Sequence, residues 1–293
     1  MLHLSKKMRF LPYLLIIPAF SLICIFKLLP ILTTLLESIW VDSELTLNTY
    51  IKLFQDPAFW NSFWVTIKIN IVMIPLQVVL SFIIALLVNS AIKGIGVFRT
   101  IFYLPVTISI TIGCLVWNIM MNPDNGVINS FLNFLGIPSQ GFFVDKDQAI
   151  WCIVLVATWK GVGYWMMFIL AGLKNIDTAI YESAKIDGAG WLTTIVKITL
   201  PLIKKVLLFV CVANTTSNIL LFVPMQVITD GGPQSSTNVL MFEAYRCAFK
   251  YGDRSRASAI VTILLILIIG ICLIQAGVLN EKEGSERKRR KGR

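Results

Sequence analysis

The sequence has few charged side chains for its length. Of its 293 residues only 14% are Asp, Glu, Lys or Arg, whereas 56% are hydrophobic and the mean hydropathy is +0.77. A soluble globule of this size needs more polar residues, so the composition is typical of a chain that crosses a membrane several times. Much of the net charge of +10 lies in short polar stretches and in the run from Arg287 to Lys291, which argues against a nucleic-acid partner.

Histidine and paired cysteines are also scarce. His3 is the single histidine, so the chain can assemble neither a histidine-based triad nor a multi-histidine metal site. The six cysteines are scattered without CxxC spacing and are expected to be small buried hydrophobes. No G-x-x-x-x-G-K-[ST] loop occurs, so ATP is not hydrolysed here by that device. The inventory predicts no catalytic or metal site, and any energy source must be another subunit or an ion gradient.

Six stretches are long and apolar enough to cross a bilayer, which takes about 20 residues of helix. We place them at residues 11–36, 63–88, 100–121, 149–173, 205–228 and 257–278. The first follows three basic residues, as a signal peptide would, but its length and the lack of an A-x-A-like cleavage site favour a retained helix. The pattern predicts an all-α polytopic membrane protein whose six-helix domain covers residues 11–280.

The basic residues divide unevenly between the two predicted sides of the membrane. One side receives Lys6, Lys7, Arg9, Lys93, Arg99, Lys174, Lys185, Lys197, Lys204 and the C-terminal tail. The other side carries Lys52, Lys146 and the cluster at 246–256, and has an acidic character from Asp42, Glu44, Asp56, Asp124, Asp145 and Asp147. By the positive-inside rule, the N-terminus (1–10), the loop at about 174–203 and the basic tail (281–293) are predicted to be cytoplasmic.

The loop at 174–203 contains a polar, helix-forming segment between long apolar stretches. We expect a short helix from Tyr181 to Ile186, a tight turn at Asp187-Gly188, and a second helix from Trp191 to Leu200 that ends at Pro201. Such a hairpin could be a solvated linker between two spans. It could also present one face to a soluble partner in the cytoplasm.

Three groups of residues stand at defined spacings in this segment: Glu182-Ser183-Ala184, then Gly188, then Ile198-Thr199-Leu200-Pro201. The pattern resembles the EAA motif of binding-protein-dependent ABC importer permeases, in which Glu-Ala-Ala, three residues, Gly, nine residues and Ile-x-Leu-Pro form the coupling element. Ser183 in place of Ala is the sole departure, and it exchanges one small residue for another.

Other segments extend the resemblance over most of the chain, toward sugar-uptake permeases of the maltose and glycerol-phosphate type. The similar segments are Asn48-Thr49-Tyr50 with 54–60, Phe98-Arg99 with Leu104-Pro105, 170–173, and 229–233 with Ser236-Thr237. The last span departs from the family's GYASA-like start, because residues 253–256 precede Ala257-Ser258-Ala259.

The resemblance implies a fold, partners and a location. It implies the type I ABC importer permease (MetI-like) fold in a bacterial plasma membrane, with ATP and Mg²⁺ held by other subunits. The implied partners are a second homologous permease chain, two ATPase subunits, an extracellular solute-binding protein and membrane lipid. The residues implied in coupling to an ATPase are Tyr181, Glu182, Ser183, Ala184, Asp187, Gly188 and Ala189.

Two asparagines are candidates for the solute pathway. Asn214 and Asn218 lie four residues apart, hence on one face of a predicted span. Polar side chains in spans usually face a bundle interior or a watery cavity, and they also form hydrogen bonds between helices. Both interpretations remain open from the residues, and the resemblance favours the pathway.

Lys160 is the other unusual residue, because it lies near the middle of the fourth span, where a lysine costs about 2.5–3.5 kcal/mol. Snorkelling is one explanation. The alternative is a binding site in which Gly161 leaves space, Trp159 and Tyr164 offer stacking faces for a sugar, and Lys160 pairs with an anionic substrate. The solute would then be an acidic sugar or a phosphorylated polyol, as opposed to a neutral oligosaccharide.

The alternatives are an ion-coupled secondary transporter and a passive pore. An ion-coupled secondary transporter typically has carboxylates deep in its spans, and none lies there; Glu37, at a span end, is the nearest. A passive pore is compatible with the composition. The sequence leaves the transported sugar unnamed.

Overall fold

The computed structural model describes residues 6–41, 44–90 and 93–291, with side chains described over 14–41, 44–90 and 93–277. His3, Asp42 and the side chains of the basic tail lie outside these ranges. The N-terminal part consists of helices α1 (Lys6–Ile23) and α2 (Leu29–Ile39), joined by a π turn at Cys24–Leu28. Strands β1 (Trp40–Val41) and β2 (Glu44–Leu45) follow as a short antiparallel pair.

Helices dominate the rest of the described chain. They are α3 (Asn48–Gln55), α4 (Pro57–Val88), α5 (Ile95–Thr107), α6 (Ile110–Met120), α7 (Val127–Phe134), α8 (Ala149–Lys174), α9 (Thr178–Ile186), α10 (Trp191–Thr194), α11 (Leu200–Leu202), α12 (Lys204–Ile219), α13 (Leu240–Tyr245) and α14 (Arg254–Lys291). Phe142–Val144 forms a 3-10 turn, and further π turns lie at Ile195–Thr199, Met225–Thr229 and Arg246–Lys250.

Four helices are long and apolar enough to cross a membrane by themselves. Within the described residues they are Leu14–Ile39, Pro57–Val88, Ala149–Lys174 and Arg254–Gly277. At 1.5 Å per residue, each exceeds the ~30 Å of a bilayer's hydrocarbon core. The first, second, fourth and sixth predicted spans are therefore confirmed, and the all-α membrane fold with them.

The third predicted span, over 100–121, is not one continuous helix. Helices α5 and α6 take its place and meet at a bend of 97°. Pro105 lies in the last turn of α5, where it provides no backbone N–H, and Ile108 and Ser109 are extended. The two pieces together have the apolar length of a fifth span.

The fifth predicted span, over 205–228, is wrong in its second half. Helix α12 has 16 residues and ends at Ile219, which at 1.5 Å per residue is about 24 Å and less than the hydrocarbon core. Leu220 is the C-cap of the helix, and Pro224 immediately precedes the separate π turn at Met225–Thr229. Because proline has no N–H to donate, a continuous helix through this position would lose a backbone hydrogen bond.

The described chain forms two compact units. The first consists of the residues up to Asp56 and of Ala244–Ile263, and the second of Pro57–Glu243 and the residues from Leu264 onward. In the first unit, the hydroxyl of Tyr50 donates to Ser38 Oγ at 2.8 Å, and Arg256 forms an ion pair with Asp56. Asp253 caps α14 by accepting from the backbone N–H of Arg256 at 2.9 Å.

The second unit is built around α8, most of whose residues are buried between α4, α5 and α12. Its apolar core includes Ala85, Met166, Ile169, Leu173 and Val210. Because lipid is as apolar as these side chains, close packing and interhelical hydrogen bonds hold such helices together. Ser81 supplies one of these bonds by donating to the carbonyl of Val162 at 3.0 Å, and both side chains are buried.

Candidate functional site

The polar segment after α8 folds as a helical hairpin, which we call the polar hairpin and define as Thr178–Leu202. Its first arm, α9, begins at Asp177, whose carboxylate accepts from the backbone N–H of Ala179 at 3.0 Å. The arm ends in a Schellman motif: Ala189 N–H donates to Ala184 O at 2.9 Å, and Gly188 N–H donates to Lys185 O at 3.1 Å. Gly188 has φ +74°, as this motif requires. The predicted helix and turn are confirmed.

The second arm of the polar hairpin differs in detail from the prediction. It starts at Trp191, passes through the π turn at Ile195–Thr199 and continues past Pro201 to Leu202. Pro201 is tolerated there because it lies at the start of α11, where its missing N–H costs little. The hydroxyl oxygens of Tyr181 and Thr199 lie 3.3 Å apart and connect the two arms.

The predicted coupling residues fall on both sides of the first arm. Ala184 is buried and Tyr181 and Ala189 are half-buried, whereas the exposed ones are Glu182, Ser183, Asp187 and Gly188. The departure from the family motif therefore lies on the surface, where Ser183 Oγ donates to the carbonyl of Ala179 at 2.9 Å. The hairpin presents a carboxylate outward and rests on a small buried residue.

Three large apolar residues beside this surface were missed by the sequence reasoning. Ile186, Trp191 and Leu192 flank the turn and are 87%, 74% and 66% exposed. A cluster of exposed apolar side chains on a polar element marks a contact surface for a partner or a membrane. The signal available in the sequence was an apolar residue on each side of the Asp187-Gly188 turn.

A cluster of buried amide side chains joins three helices of the second unit. We call it the amide cluster; its members are Gln77, Asn214 and Asn218. Asn218 on α12 donates from Nδ2 to Asn214 Oδ1 at 2.7 Å and to Gln77 Oε1 on α4 at 2.9 Å. Gln77 Nε2 donates to the carbonyl of Ala157 on α8 at 3.1 Å, and Asn214 Nδ2 to the carbonyl of Ile74 at 3.4 Å. Asn214 and Asn218 thus share one face, as predicted, and they form interhelical hydrogen bonds. Their lining of a pathway stays a prediction.

Gly161 packs against the amide cluster. A Cβ atom at this position would lie 3.2 to 3.3 Å from the amide atoms of Gln77, so the lack of a side chain lets α4 and α8 approach there. The space that the sequence analysis assigned to a substrate beside Gly161 is therefore occupied by Gln77. This glutamine was not among the predicted residues.

Lys160 has a partner set that the sequence did not reveal. Its ammonium donates to the carbonyl oxygens of Pro105 and Val106, at 2.9 Å each, and to that of Ile108. These groups lie at the C-terminal end of α5, where helix carbonyls lack intrahelical partners and a cation is favourable. An ammonium has three N–H donors, and all three are used by the chain itself. The anionic-substrate interpretation assumed that they were available.

Trp159 and Tyr164 do not converge on one site. Five residues apart on α8, they point about 140° away from each other around the helix axis. Trp159 packs edge to face on Trp117 of α6, with ring centroids 5.7 Å apart, and Tyr164 is exposed and packs on Phe168 at 5.1 Å. The α8 members of the predicted pathway set therefore do not share one surface of the helix.

Helix α4 carries a buried polar stripe that sequence analysis also missed. Its members are Ser62, Thr66, Asn70, Gln77 and Ser81. Their spacing of four, four, seven and four residues places them on one face of the helix. The stripe was detectable in the sequence as regularly spaced polar residues in a helix of otherwise high hydropathy.

The stripe contacts the residues just after the loop at 229–237, one of the segments that resemble the family. Thr66 Oγ1 accepts from the backbone N–H of Leu240 at 2.8 Å, and Asn238 Nδ2 donates to Ser62 Oγ at 3.0 Å. Within the loop, the hydroxyl oxygens of Thr229 and Thr237 lie 2.7 Å apart. Asn238 and Leu240, which follow the loop, thus connect it to the Ser62 end of α4.

Three proteins illustrate the similarity of this chain to known permeases. The lactose transport system permease protein LacF of Rhizobium radiobacter is 31% identical over 269 residues, which cover 88% of this chain and 90% of that protein. The sn-glycerol-3-phosphate transport system permease protein UgpA of Yersinia pestis is 31% identical over 280 residues, which cover 93% of this chain and 95% of that protein. The trehalose/maltose transport system permease protein MalF of Thermococcus litoralis is 29% identical over 283 residues, covering 93% and 96%.

One solved structure and one family model also match this chain over most of its length. A chain of a bacterial ABC transporter involved in the import of the acidic polysaccharide alginate has the same fold, with a TM-score of 0.85, 21% identity and coverage of 94% of this chain and 96% of that one. The model described as "Binding-protein-dependent transport system inner membrane component" matches residues 7–282. On this match over nearly its whole length, the chain belongs to the family of inner membrane components of binding-protein-dependent transport systems.

Proposed function

We propose that this chain is one permease subunit of an ATP-driven ABC importer that moves a carbohydrate or polyol solute from an external solute-binding protein into the cytoplasm. The match to the family model over residues 7–282 carries the proposal. The relatives named for lactose, trehalose/maltose and sn-glycerol-3-phosphate support the solute class. Family membership also disfavours an ion-coupled secondary transporter and a passive pore.

The polar hairpin is the proposed contact with a cytoplasmic ATPase subunit. It offers the exposed carboxylate of Glu182 beside the exposed apolar side chains of Ile186 and Trp191. A charged group next to a small apolar patch suits a docking element, because the apolar part supplies contact area and the charge supplies orientation. The Schellman turn at Gly188 sets the angle at which the two arms leave each other.

Coupling then follows from contacts that differ between two states. Closure of an ATP-loaded ATPase pair would move the docked hairpins as rigid bodies, and the connected spans would open the pathway outward. Hydrolysis of ATP would reverse the movement. ATP and Mg²⁺ belong to the ATPase subunits in this scheme, and this chain contributes the mechanical connection.

A second permease chain and lipid are the proposed neighbours within the membrane. In the span Leu14–Ile39, no residue of the most apolar stretch is buried by the rest of the described chain. Such a surface is stable only against lipid or another apolar helix. The positive-inside rule supports a bacterial plasma-membrane arrangement with both termini and the polar hairpin in the cytoplasm.

The proposed pathway runs past the amide cluster in the second unit. Asn218, with Asn214 and Gly161 packed behind it, is its proposed lining, and Trp159 and Tyr164 remain proposed stacking faces that do not converge on it. Lys160 supports this region by holding the end of α5, according to its three carbonyl contacts.

The test is reconstitution of the whole complex in proteoliposomes, with the cognate second permease, ATPase subunits and solute-binding protein. We expect uptake of a radiolabelled sugar that requires both ATP and the binding protein. Uptake that follows an imposed ion gradient without ATP, or that equilibrates without either, would contradict the proposed function.

A further inference from the structure

The amide cluster has a fixed direction, because its two ends are backbone carbonyls that can only accept. At one end, Gln77 must turn its NH₂ group toward the carbonyl of Ala157, which directs Oε1 toward Asn218. At the other end, Asn214 turns its NH₂ group toward the carbonyl of Ile74, which directs Oδ1 toward Asn218. Both N–H groups of Asn218 are therefore used.

The remaining polar group of Asn218 is its carbonyl oxygen. Gln77 and Asn214 are 1% and 0% exposed, whereas Asn218 is 8% exposed, so it is the least buried member of the cluster. An amide whose two N–H groups are both used can offer a ligand only the acceptor Oδ1. A hydroxyl group can donate to such an oxygen, whereas a carboxylate or phosphate is repelled by it.

The nearest cation on α8 does not offset this preference. Lys160 precedes Gly161 in the sequence, but its three N–H groups are used by carbonyls at the end of α5. Gly161 lies against the Gln77 amide, so the cluster and the helix that carries the lysine are in direct contact. The chain therefore offers the acceptor Oδ1 of Asn218 here, whereas the ammonium of Lys160 is bonded to backbone carbonyls.

We propose that Gln77 is a positioning residue that sets the amide of Asn218 with its carbonyl oxygen toward the pathway, and that this selects an uncharged, hydroxyl-bearing solute. The inference rests on the proposed function, since it assumes that Asn218 borders the route of the solute. Gln77 acts through Asn218, and Gly161 is the residue that allows it to reach α8.

The first measurement concerns the charge of the solute. In proteoliposomes with the whole complex and saturating binding protein, we compare ATP-dependent uptake of lactose and trehalose with that of sn-glycerol-3-phosphate and an oligogalacturonate. We expect uptake of a neutral probe. Preferential uptake of an anionic probe would overturn this inference and leave the proposed function intact, whereas uptake of every probe without ATP would contradict the proposed function.

The second measurement concerns Gln77 itself. Gln77→Met keeps the volume but removes the amide, and one net hydrogen bond corresponds to about a threefold to tenfold effect. We expect the ratio of neutral to anionic uptake to fall by that factor, because Asn218 can then turn an N–H toward the solute. Ser81→Ala is the matched control, since Ser81 is equally buried on α4 and also bonds to a carbonyl of α8, but not to Asn218. It should leave the ratio unchanged.

A double-mutant cycle separates positioning from packing. If Gln77 acts through Asn218, the effect of Gln77→Met on the uptake ratio should disappear in an Asn218→Ala background. Assembly and basal ATPase activity of the complex are measured for each variant, so that a folding defect is recognised. Additive effects of the two substitutions, or a Ser81→Ala variant that matches Gln77→Met, would overturn the proposal.

Discussion

The ammonium nitrogen of Lys160 lies 2.9 Å from the carbonyl oxygen of Pro105, at the point where the third predicted span breaks into α5 and α6. In a membrane, backbone carbonyls without partners cost several kcal/mol each. The lysine supplies donors to three of them. The ammonium of Lys160, which would be unfavourable in a continuous span, therefore compensates for the break between α5 and α6 that the sequence did not predict.

Replacement of this lysine should affect stability more than solute choice. In Lys160→Met, three carbonyls lose their partner, and each unsatisfied group costs about 1–3 kcal/mol. We expect a lower melting temperature of the purified complex and reduced uptake of all solutes. Lys27→Met is the control, because Lys27 is exposed within the first span. A Lys160→Met complex of normal stability with weakened uptake of anionic solutes alone would favour the anion-binding interpretation.

Gly163 should not tolerate a methyl group. A Cβ atom there would lie 3.0 Å from the carbonyl carbon of Phe102 and would overlap the carbonyl oxygen. Because the obstacle is the backbone of α5, relief requires the two helices to separate, and overpacking of this kind costs about 1–3 kcal/mol. Thermal unfolding should show a lower melting temperature for Gly163→Ala. It should show no change for Gly270→Ala, whose Cβ would meet nothing within 4 Å. Equal melting temperatures would contradict the α5–α8 packing.

The turn of the polar hairpin should depend on the backbone of Gly188. Its φ of +74° costs about 1–2 kcal/mol for a residue with a Cβ, although there is open space for the methyl group. We expect Gly188→Ala to reduce uptake and Gly188→Pro, which also loses the N–H bond to Lys185, to abolish it. Gly190→Ala is the control, with φ −68° and the same open space. Similar losses of uptake for Gly188→Ala and Gly190→Ala would show that the added methyl group, and not the positive φ of Gly188, impairs transport.

Charge reversal at Glu182 should uncouple ATP turnover from transport. Its exposed carboxylate is a proposed contact of the ATPase, and a hydrogen bond to a charged group is worth about 1.5–3 kcal/mol, or tenfold and more in affinity. For Glu182→Lys we expect normal insertion, continued ATP hydrolysis and uptake lowered at least about tenfold. Asp124→Lys makes the same change at an exposed acid in a distant loop and should transport normally. Normal uptake by Glu182→Lys would remove the assigned role.

The sequence predicted most of the fold because its strongest signals are local. Twenty or more apolar residues specify a span wherever they occur, and the helix and turn of the polar hairpin follow from Asp187-Gly188 and its neighbours. The break at Ile108 and the end of α12 at Ile219 were missed. Apolar residues continue through both positions, and a hydropathy pattern does not register a change of backbone direction.

The candidate site was predicted unevenly for the same reason. The pairing of Asn214 with Asn218 is a property of helical spacing and could be inferred from their numbers. The partners Gln77 and Pro105 are 141 and 55 residues away in the sequence from Asn218 and Lys160. Such contacts depend on which helices pack together, and one sequence carries no local sign of that.

The sequence by itself determined that this chain spans a membrane and how its polar hairpin turns, because both depend on residues that are neighbours along the chain. Only the tertiary structure decided what the polar residues inside the spans do. The direction of the Gln77 amide is set by a carbonyl of another helix, and the ammonium of Lys160 is hydrogen-bonded by carbonyls of a third. In a medium without water, each buried donor takes whichever acceptor the packing brings within reach.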